Sequence, residues 1–287
     1  MADYKNNHYV PEFILKRFSS EKGEFFYYNK IKRSPIAHRN ISKVFCAKRI
    51  FWGTDIEGKE DKTLESDFYS EMDSAASVIV DRMVGCIRSG MLPSLTMTQK
   101  RSWDDFIFFQ MKRLPGIHRL SIQRELLDQS LRSIVSEIEK SSGPLSEEQI
   151  SEIRYELEKE ENLHNAKIYA LRSHGDLSQG LLRGRGLVFA RIVKANKSFL
   201  IGDAPFTRPD PPLINDGSGM TSENWFPISS DIAVSHFDNI QKEMVIEIDV
   251  SQIRRINEMI YKSSNEIGSS SARLLASIGN LPLPAGL

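Results

Sequence analysis

The chain has 287 residues, of which 40% are hydrophobic and 26% are charged, values typical of a soluble globular protein with a sizeable core. Lys and Arg together number 38, and so do Asp and Glu, so the net charge is zero. This balance argues against a protein that binds nucleic acid over its whole surface, although a local basic patch would escape the count.

Three further observations bear on location. The first seven residues contain no apolar stretch, so we expect no signal peptide. The best apolar stretch, 75–87, is interrupted by Asp81 and Arg82 and is too short to span a bilayer. Cys46 and Cys86 are far apart and form no C-x-x-C motif, which argues against a disulfide framework or a cysteine zinc site. We therefore expect a cytoplasmic protein with no membrane partner.

Residues 1–60 predict short extended segments separated by turns. The stretch 24–29 is aromatic and favours a strand, and 50–52 is another short apolar run. The opening stretch 8–18 combines a histidine, a proline and large apolar side chains, so we expect it to be ordered and buried, unlike most chain termini.

Residues 63–183 predict helices. Apolar residues recur at helical spacing over 64–87. Thr96 with Gln99, and Ser146 with Gln149, have the spacing of a capping box at a helix start. A third helix is predicted over 120–138, and a Glu-rich, solvated helix is predicted from the second capping box to residue 170.

Residues 187–287 predict a small sheet followed by a helix. The stretch 187–193 favours a strand with 198–201 as its hairpin partner, and 225–228, 232–234 and 244–248 favour further strands. Asp249 is placed to cap a helix over about 252–262. The predicted fold is α+β in a single domain over 1–287: short N-terminal strands, a central helical region, and a small antiparallel C-terminal sheet with a terminal helix.

Five short motifs occur in order along the chain. They are H-Y-V-P at 8–11, L-E with a second glutamate at 64–71, R-L-P at 113–115, F-L-I-G-D-A-P at 199–205 and F-P-I-S at 226–229. This order resembles the domain of unknown function 4238 family, a largely bacterial group. Gly202 and Ala204 stand where the family has serine and asparagine, so roles that rest on those two side chains do not carry over.

His8 and the motif glutamates are the first candidates for a site. His8 is a candidate metal ligand or general base, because imidazole titrates near neutrality; the alternative is that it hydrogen-bonds a buried backbone group. Glu65 and Glu71 lie about 240° apart around a helix, so one carboxylate facing a cleft is easier to build than a two-carboxylate site. The alternative for both is a solvated acidic face.

Arg113 and Asp203 complete the candidate set. Arg113, at a helix end, is a candidate to bind a phosphate or carboxylate through its planar fork, or to pair with Glu71. Asp203, at a strand end, is a candidate functional carboxylate, or it accepts backbone N–H groups in an Asx-turn. The segment 184–186, G-R-G, could cradle a phosphate or serve as a linker, and it lacks the G-K-[ST] of a P-loop.

The leading hypothesis is an intracellular enzyme whose catalytic residues are His8, Glu71, Arg113 and Asp203. With a divalent metal ion held by His8 and Asp203, this set suits hydrolysis of a phosphodiester, and nuclease activity in a bacterial defence or toxin setting is its first form. The rival hypothesis is a non-catalytic binding or scaffold module in which the same polar groups are structural latches.

Overall fold

The computed structural model describes residues 6–55, 57–115, 124–172, 182, 184–209, 213, 223–237, 243–284 and 286. Its helices are α1 Glu12–Leu15, α2 Ser70–Arg88, α3 Met97–Arg113, α4 Arg124–Ser142, α5 Glu147–Glu158, α6 Glu160–Arg172, α7 Val250–Ser263 and α8 Ala272–Gly279. Its strands are β1 Asn6–His8, β2 Phe26–Asn29, β3 Ala37–His38, β4 Cys46–Lys48, β5 Gly53–Thr54, β6 Glu60–Asp61, β7 Gly186–Arg191, β8 Ile201–Gly202, β9 Phe226–Pro227, β10 Ile232–Phe237, β11 Glu243–Glu247 and β12 Glu266–Ser269.

The predicted α+β architecture is confirmed. Strands dominate the N-terminal part, helices α2 to α6 fill the middle, and strands return before α7 and α8. One four-stranded sheet has the order β3-β2-β12-β8, so a strand from each end of the chain lies at its centre. Strand β2 from the N-terminal part is therefore hydrogen-bonded directly to β12 from the C-terminal part.

The second four-stranded sheet has the order β11-β7-β10-β9. Strand β7 pairs antiparallel with β10 and parallel with β11, and β8 joins the other sheet through β12. The predicted hairpin between 187–193 and 198–201 is therefore wrong. Residues 186–190 are all buried. The backbone N–H and C=O groups of a buried strand need hydrogen-bond partners on both edges, and β10 and β11, which lie far along the chain, provide them.

The capping residues in the sequence predict the starts of three helices correctly. Thr96 and Gln99 form the predicted capping box of α3, Ser146 and Gln149 form that of α5, and Asp249 caps α7 with Gln252. The Glu-rich helix is interrupted at Lys159, which separates α5 from α6. The part of the predicted third helix over 120–123 lies outside the described residues. Within the described residues, no helix combines the length and apolarity needed to cross a membrane.

The N-terminal segment packs into the core, as predicted. Val10, Ile14, Leu15 and Phe18 are completely buried and belong to the cluster that joins the helices to both four-stranded sheets. Deletion of this segment would expose that apolar surface.

Replacing Phe18 with alanine is expected to lower the free energy of unfolding by about 3–5 kcal/mol, because it leaves a large cavity in a closed core. Lys16→Ala, an exposed position two residues away, is the matched control and should change stability by less than about 0.5 kcal/mol. Urea unfolding monitored by circular dichroism gives both values. Equal stability of the two variants would show that the segment does not pack as described.

Candidate active-site cleft

A cleft of about 690 Å³ lies between the N-terminal segment and the start of α2. We call it the N-terminal cleft. Its charged and titratable lining residues are His8, Glu12, Glu65 and Asp73. Several serine hydroxyls surround them: Ser42, Ser66, Ser70, Ser74 and Ser77. The cleft is therefore acidic and rich in hydrogen-bonding groups.

A wide helical turn positions its carboxylates. Leu64–Tyr69 forms a single stretch of π-helix that leads directly into α2. In a regular α-helix, residues eight apart are displaced by about 80° around the axis. The wider turn reduces this displacement, so that Glu65 and Asp73 both line the cleft. Such π-turns interrupt the regular helix and occur frequently at functional sites.

Arg113, the last residue of α3, lies behind these carboxylates. It is 1% exposed, its Nη1 donates to Asp73 Oδ2 at 3.0 Å, and its Nη2 lies 2.9 Å from Asp73 Oδ1. Its guanidinium carbon sits 3.7 Å from the centre of the Tyr69 ring, a cation–π contact. Burial alone would lower the pKa of Arg113, and the Asp73 carboxylate reverses this and raises it. Burial also raises the pKa of Asp73, and the charge of Arg113 opposes this increase.

Glu65 forms no ion pair with the residues that the structure describes, and the Asn7 side chain is a polar neighbour. The Oε2 atom of Glu65 is buried and accepts no hydrogen bond from the described residues. Burial raises the pKa of Glu65 to about 7, and the nearby charge of Asp73 acts in the same direction, while Arg113 and the Asn7 amide oppose them. The carboxyl is therefore divided between its two protonation states at neutral pH, the condition that suits a general acid or base.

His8, at the end of β1, faces the same cleft. Its Nε2 lies 3.3 Å from the Ile41 carbonyl oxygen and 3.7 Å from a Glu12 carboxylate oxygen. Burial lowers the pKa of His8, although Glu12 and Asp73 oppose this, so the neutral ring predominates at neutral pH. When Nε2 carries the ring proton and donates it to Ile41, Nδ1 remains an acceptor.

Comparison with known families bears directly on these motifs. The sequence model of the family described as "Protein of unknown function (DUF4238)" matches residues 6–271. The chain belongs to the DUF4238 family. No curated protein and no solved structure gave a significant match to the chain. The match begins at β1 and ends within the loop before α8, so it contains every residue of the N-terminal cleft.

The four residues predicted from this DUF4238 sequence do not form one site. His8 lines the N-terminal cleft. Arg113 pairs with Asp73 of that cleft, and it also lines another cleft together with Asp203. Glu71 is exposed and does not line the cleft. It lies two residues from Asp73, about 200° around α2, so Arg113 pairs with Asp73 and not with the predicted Glu71.

Asp203 lies in a different, smaller cleft of about 300 Å³, which we call the second cleft. Its Oδ1 accepts the backbone N–H groups of Asn265 at 2.8 Å and of Glu266 at 3.3 Å. Its own N–H donates to the Glu266 carbonyl oxygen at 3.0 Å. Asp203 therefore joins the end of β8 to the start of β12. The proposed metal pair of His8 and Asp203 is not brought together, because the two line different clefts.

The two departures from the family pattern lie beside Asp203. A side chain at Gly202 would collide with the Ser264 side chain, which already fills that space. The Ser264 hydroxyl accepts the backbone N–H of Ala204 at 3.2 Å. The Ser264 hydroxyl, just after the C-terminal end of α7, thus fills the space beside Gly202.

Replacing Asp203 with alanine is expected to lower the free energy of unfolding by about 1–3 kcal/mol, because it leaves two backbone N–H groups without their acceptor. Asp203→Asn keeps the carbonyl oxygen and is the matched control, with a smaller loss. Thermal unfolding of both variants gives the comparison. An Asp203→Ala protein as stable as the wild type would show that this carboxylate is not a structural link.

Asp73 was missed by sequence reasoning, although a signal was present. Tyr69 and Asp73 are four residues apart and therefore share a helix face, and Glu65 precedes Tyr69 by the same interval. This face, Glu65-Tyr69-Asp73, is the one that meets Arg113. The sequence motif contains Glu65 and Glu71 but not Asp73, and the candidate carboxylate was taken from that motif.

Proposed function

We propose that the N-terminal cleft is the active site of a hydrolase, in which Glu65 and His8 move protons and Asp73 positions the reacting group. The observation that carries the proposal is the Glu65 carboxyl, which is buried, lacks a hydrogen-bond partner on Oε2, has a pKa of about 7 and lines an open cleft. Strongly perturbed carboxyl groups in clefts are characteristic of catalytic sites.

A division of roles follows from the charge states. Neutral His8 can take a proton from an attacking water molecule, and protonated Glu65 can give a proton to the leaving oxygen. The new bond forms between the water oxygen and the attacked centre as the bond to the leaving oxygen breaks. Asp73 is paired with Arg113, whose charge opposes the rise that burial causes in the pKa of Asp73. Arg113 is then a positioning residue that fixes Asp73.

A phosphodiester is the substrate class we propose, with nucleic acid as the partner and a nuclease of bacterial defence as the setting. The cleft is acidic, so a phosphate group would need a counter-charge to enter. A magnesium ion is commonly bound by one or two carboxylates together with substrate phosphate and water. Asp73, whose side chain is 27% exposed, is the carboxylate that would hold it.

The donor set limits how such an ion could be held. Among the residues that the structure describes, no group of three or more His, Cys, Asp or Glu side chains is arranged to hold a metal ion. An ion at Asp73 would therefore depend on substrate phosphate and water for most of its coordination shell. Metal affinity without substrate should be weak.

A second candidate function, a non-catalytic binding module, is favoured by one observation. Asp203 and His8 both lie within hydrogen-bonding distance of backbone groups of distant segments, as structural latches do. In such a module the cleft would bind a polar partner without turning it over, and the polar motifs would hold the N-terminal segment in place.

Hydrolysis assays test the two candidates. Single-stranded RNA, single-stranded DNA and bis(p-nitrophenyl) phosphate are incubated with the protein in the presence of magnesium or of EDTA. We expect magnesium-dependent cleavage, and we expect His8→Asn to lose about 10²-fold or more in rate because it removes the proposed base. Glu71→Gln removes an exposed carboxylate of the same helix and should retain wild-type rates. Absence of cleavage of all three substrates would favour the binding module.

A further inference from the structure

A third cavity, of about 480 Å³, lies at the opposite end of α3 from Arg113. It is bounded by the first turns of α3, the turn 184–186 and the start of β11. Three basic residues line it, Lys100, Arg101 and Arg185, and we call it the basic pocket. Thirteen residues separate Lys100 from Arg113, about 20 Å along a helix, so the basic pocket is distinct from the N-terminal cleft.

Two acidic residues also line the basic pocket, and both are occupied by protein groups. Asp104 Oδ1 and Oδ2 accept from Lys100 Nζ at 2.6 and 2.8 Å, and its Oδ1 lies 2.7 Å from His236 Nε2. Glu243 accepts the backbone N–H groups of Ser94 at 2.5 Å and Leu95 at 2.7 Å. The carboxylates are thus committed to structural hydrogen bonds.

The charges of the described lining favour an anion. Among the described residues that line the cavity, three side chains are cationic and two are carboxylates, a net charge of +1 in a protein whose overall charge is zero. The exposed Arg101 forms no ion pair with the residues that the structure describes. The planar guanidinium group of an arginine that forms no ion pair is suited to bind two phosphate oxygens at once.

The turn 184–186 leaves space for a ligand at the rim. Gly184 has a φ of +84°, a conformation that strains other residues, and no atom lies within 4 Å of the position of a Cβ. Leu95, Met97 and Leu187 add an apolar part to the lining. The cavity thus offers cationic side chains beside an apolar wall.

We infer that the basic pocket binds the phosphoryl group of a small phosphate-bearing ligand through Arg101, with Lys100 and Arg185 adding positive charge. This site is independent of the proposed hydrolase chemistry. The apolar wall suits a ligand with an organic part next to its phosphate, such as a nucleoside diphosphate.

His236 provides a reporter inside the structure. It is buried at the floor of the pocket against Asp104. Burial lowers the pKa of His236, Asp104 opposes this, and the positive charges of Lys100 and Arg185 lower it further. An anion bound beside those two cations would offset their effect and raise the pKa of His236.

The test is an NMR titration of the full chain with inorganic pyrophosphate, with the His236 ring signals as the site-specific readout. Parallel titrations with inorganic phosphate and with a nucleoside diphosphate identify the source of the phosphoryl group. We expect saturable shifts of His236 and an upward shift of its pKa. Tighter binding of the nucleoside diphosphate would show that the apolar wall contributes.

Arg101→Gln should weaken pyrophosphate binding about tenfold or more, the loss of one charge-assisted hydrogen-bonding partner. Arg273→Gln removes an exposed arginine from α8 and is the matched control, with wild-type affinity. Glu65→Gln should also bind normally, which separates this site from the N-terminal cleft. The inference is overturned if His236 does not respond at millimolar pyrophosphate, or if Arg101→Gln and Arg273→Gln weaken binding equally.

Discussion

Replacing Glu65 with glutamine is expected to stabilise the protein at pH 8, and to abolish hydrolysis in the assay described above. The pKa of Glu65 is raised from 4.5 to about 7 on folding. Between these two pH values, the folded state keeps a proton on this carboxyl that the unfolded state has lost. The stabilising contribution of the carboxyl is complete below about pH 4.5 and is lost as the pH rises through 7. Above pH 7 the folded protein carries a poorly solvated carboxylate, which the neutral amide of glutamine relieves.

The expected gain is about 1–2 kcal/mol at pH 8, less than the roughly 3 kcal/mol that the full pKa change would give, because part of the group remains hydrated. At pH 4 glutamine should bring little gain, since the carboxyl is then neutral in both states. Thermal unfolding at the two pH values measures the difference. Glu71→Gln, an exposed position on the same helix, should show no such pH dependence. A Glu65→Gln protein that is less stable than the wild type at pH 8 would identify Glu65 as a structural group.

Breaking the pair of Arg113 and Asp73 is expected to give the largest loss of stability among the polar groups. Arg113 is completely enclosed, so Asp73→Ala would leave its charge buried without a partner, at a cost of about 3–5 kcal/mol. Arg113→Met would likewise leave Asp73 without its ion-pair partner, and it would remove the contact with the Tyr69 ring. The double variant should cost less than the sum of the single variants by about 1–3 kcal/mol.

Glu71 provides the control for this double-mutant cycle. It lies on the same helix two residues from Asp73, and the sequence had suggested it as the partner of Arg113. Glu71→Ala should change stability by less than about 0.5 kcal/mol and should show additive effects with Arg113→Met. Coupling of Arg113 to Glu71 and not to Asp73, measured by urea unfolding, would contradict the described geometry.

The fold was predictable where the signals are local. A capping box such as Thr96 with Gln99 places a helix start within a few residues, and an apolar, proline-containing start indicates a packed segment. Strand pairing was less predictable, because β8 finds its partner in β12, more than sixty residues away. Nothing in the sequence of β8 distinguishes that partner from the nearer β7.

The site was predictable only in part, for a comparable reason. His8 and the motif around Glu65 were identified, but the candidate carboxylate taken from that motif was Glu71, and Asp73 lies outside the motif. The structure has a π-turn over Leu64–Tyr69, and this turn aligns Glu65 with Asp73. Asp203 has the residue type of a catalytic carboxylate, and only its contacts with Asn265 and Glu266 show that it is used as a backbone acceptor.

The central claim is that Glu65 titrates near neutrality inside the N-terminal cleft, and carboxyl carbon NMR of the folded protein measures this directly. Protein labelled with ¹³C at glutamate side chains is titrated through the acid and neutral range, and the Glu65 signal is assigned by its absence from Glu65→Gln. The account predicts a midpoint of about 7 for this signal. A Glu65 midpoint near 4.5, the ordinary value of a solvated glutamate, would contradict the account and remove the main support for a catalytic cleft.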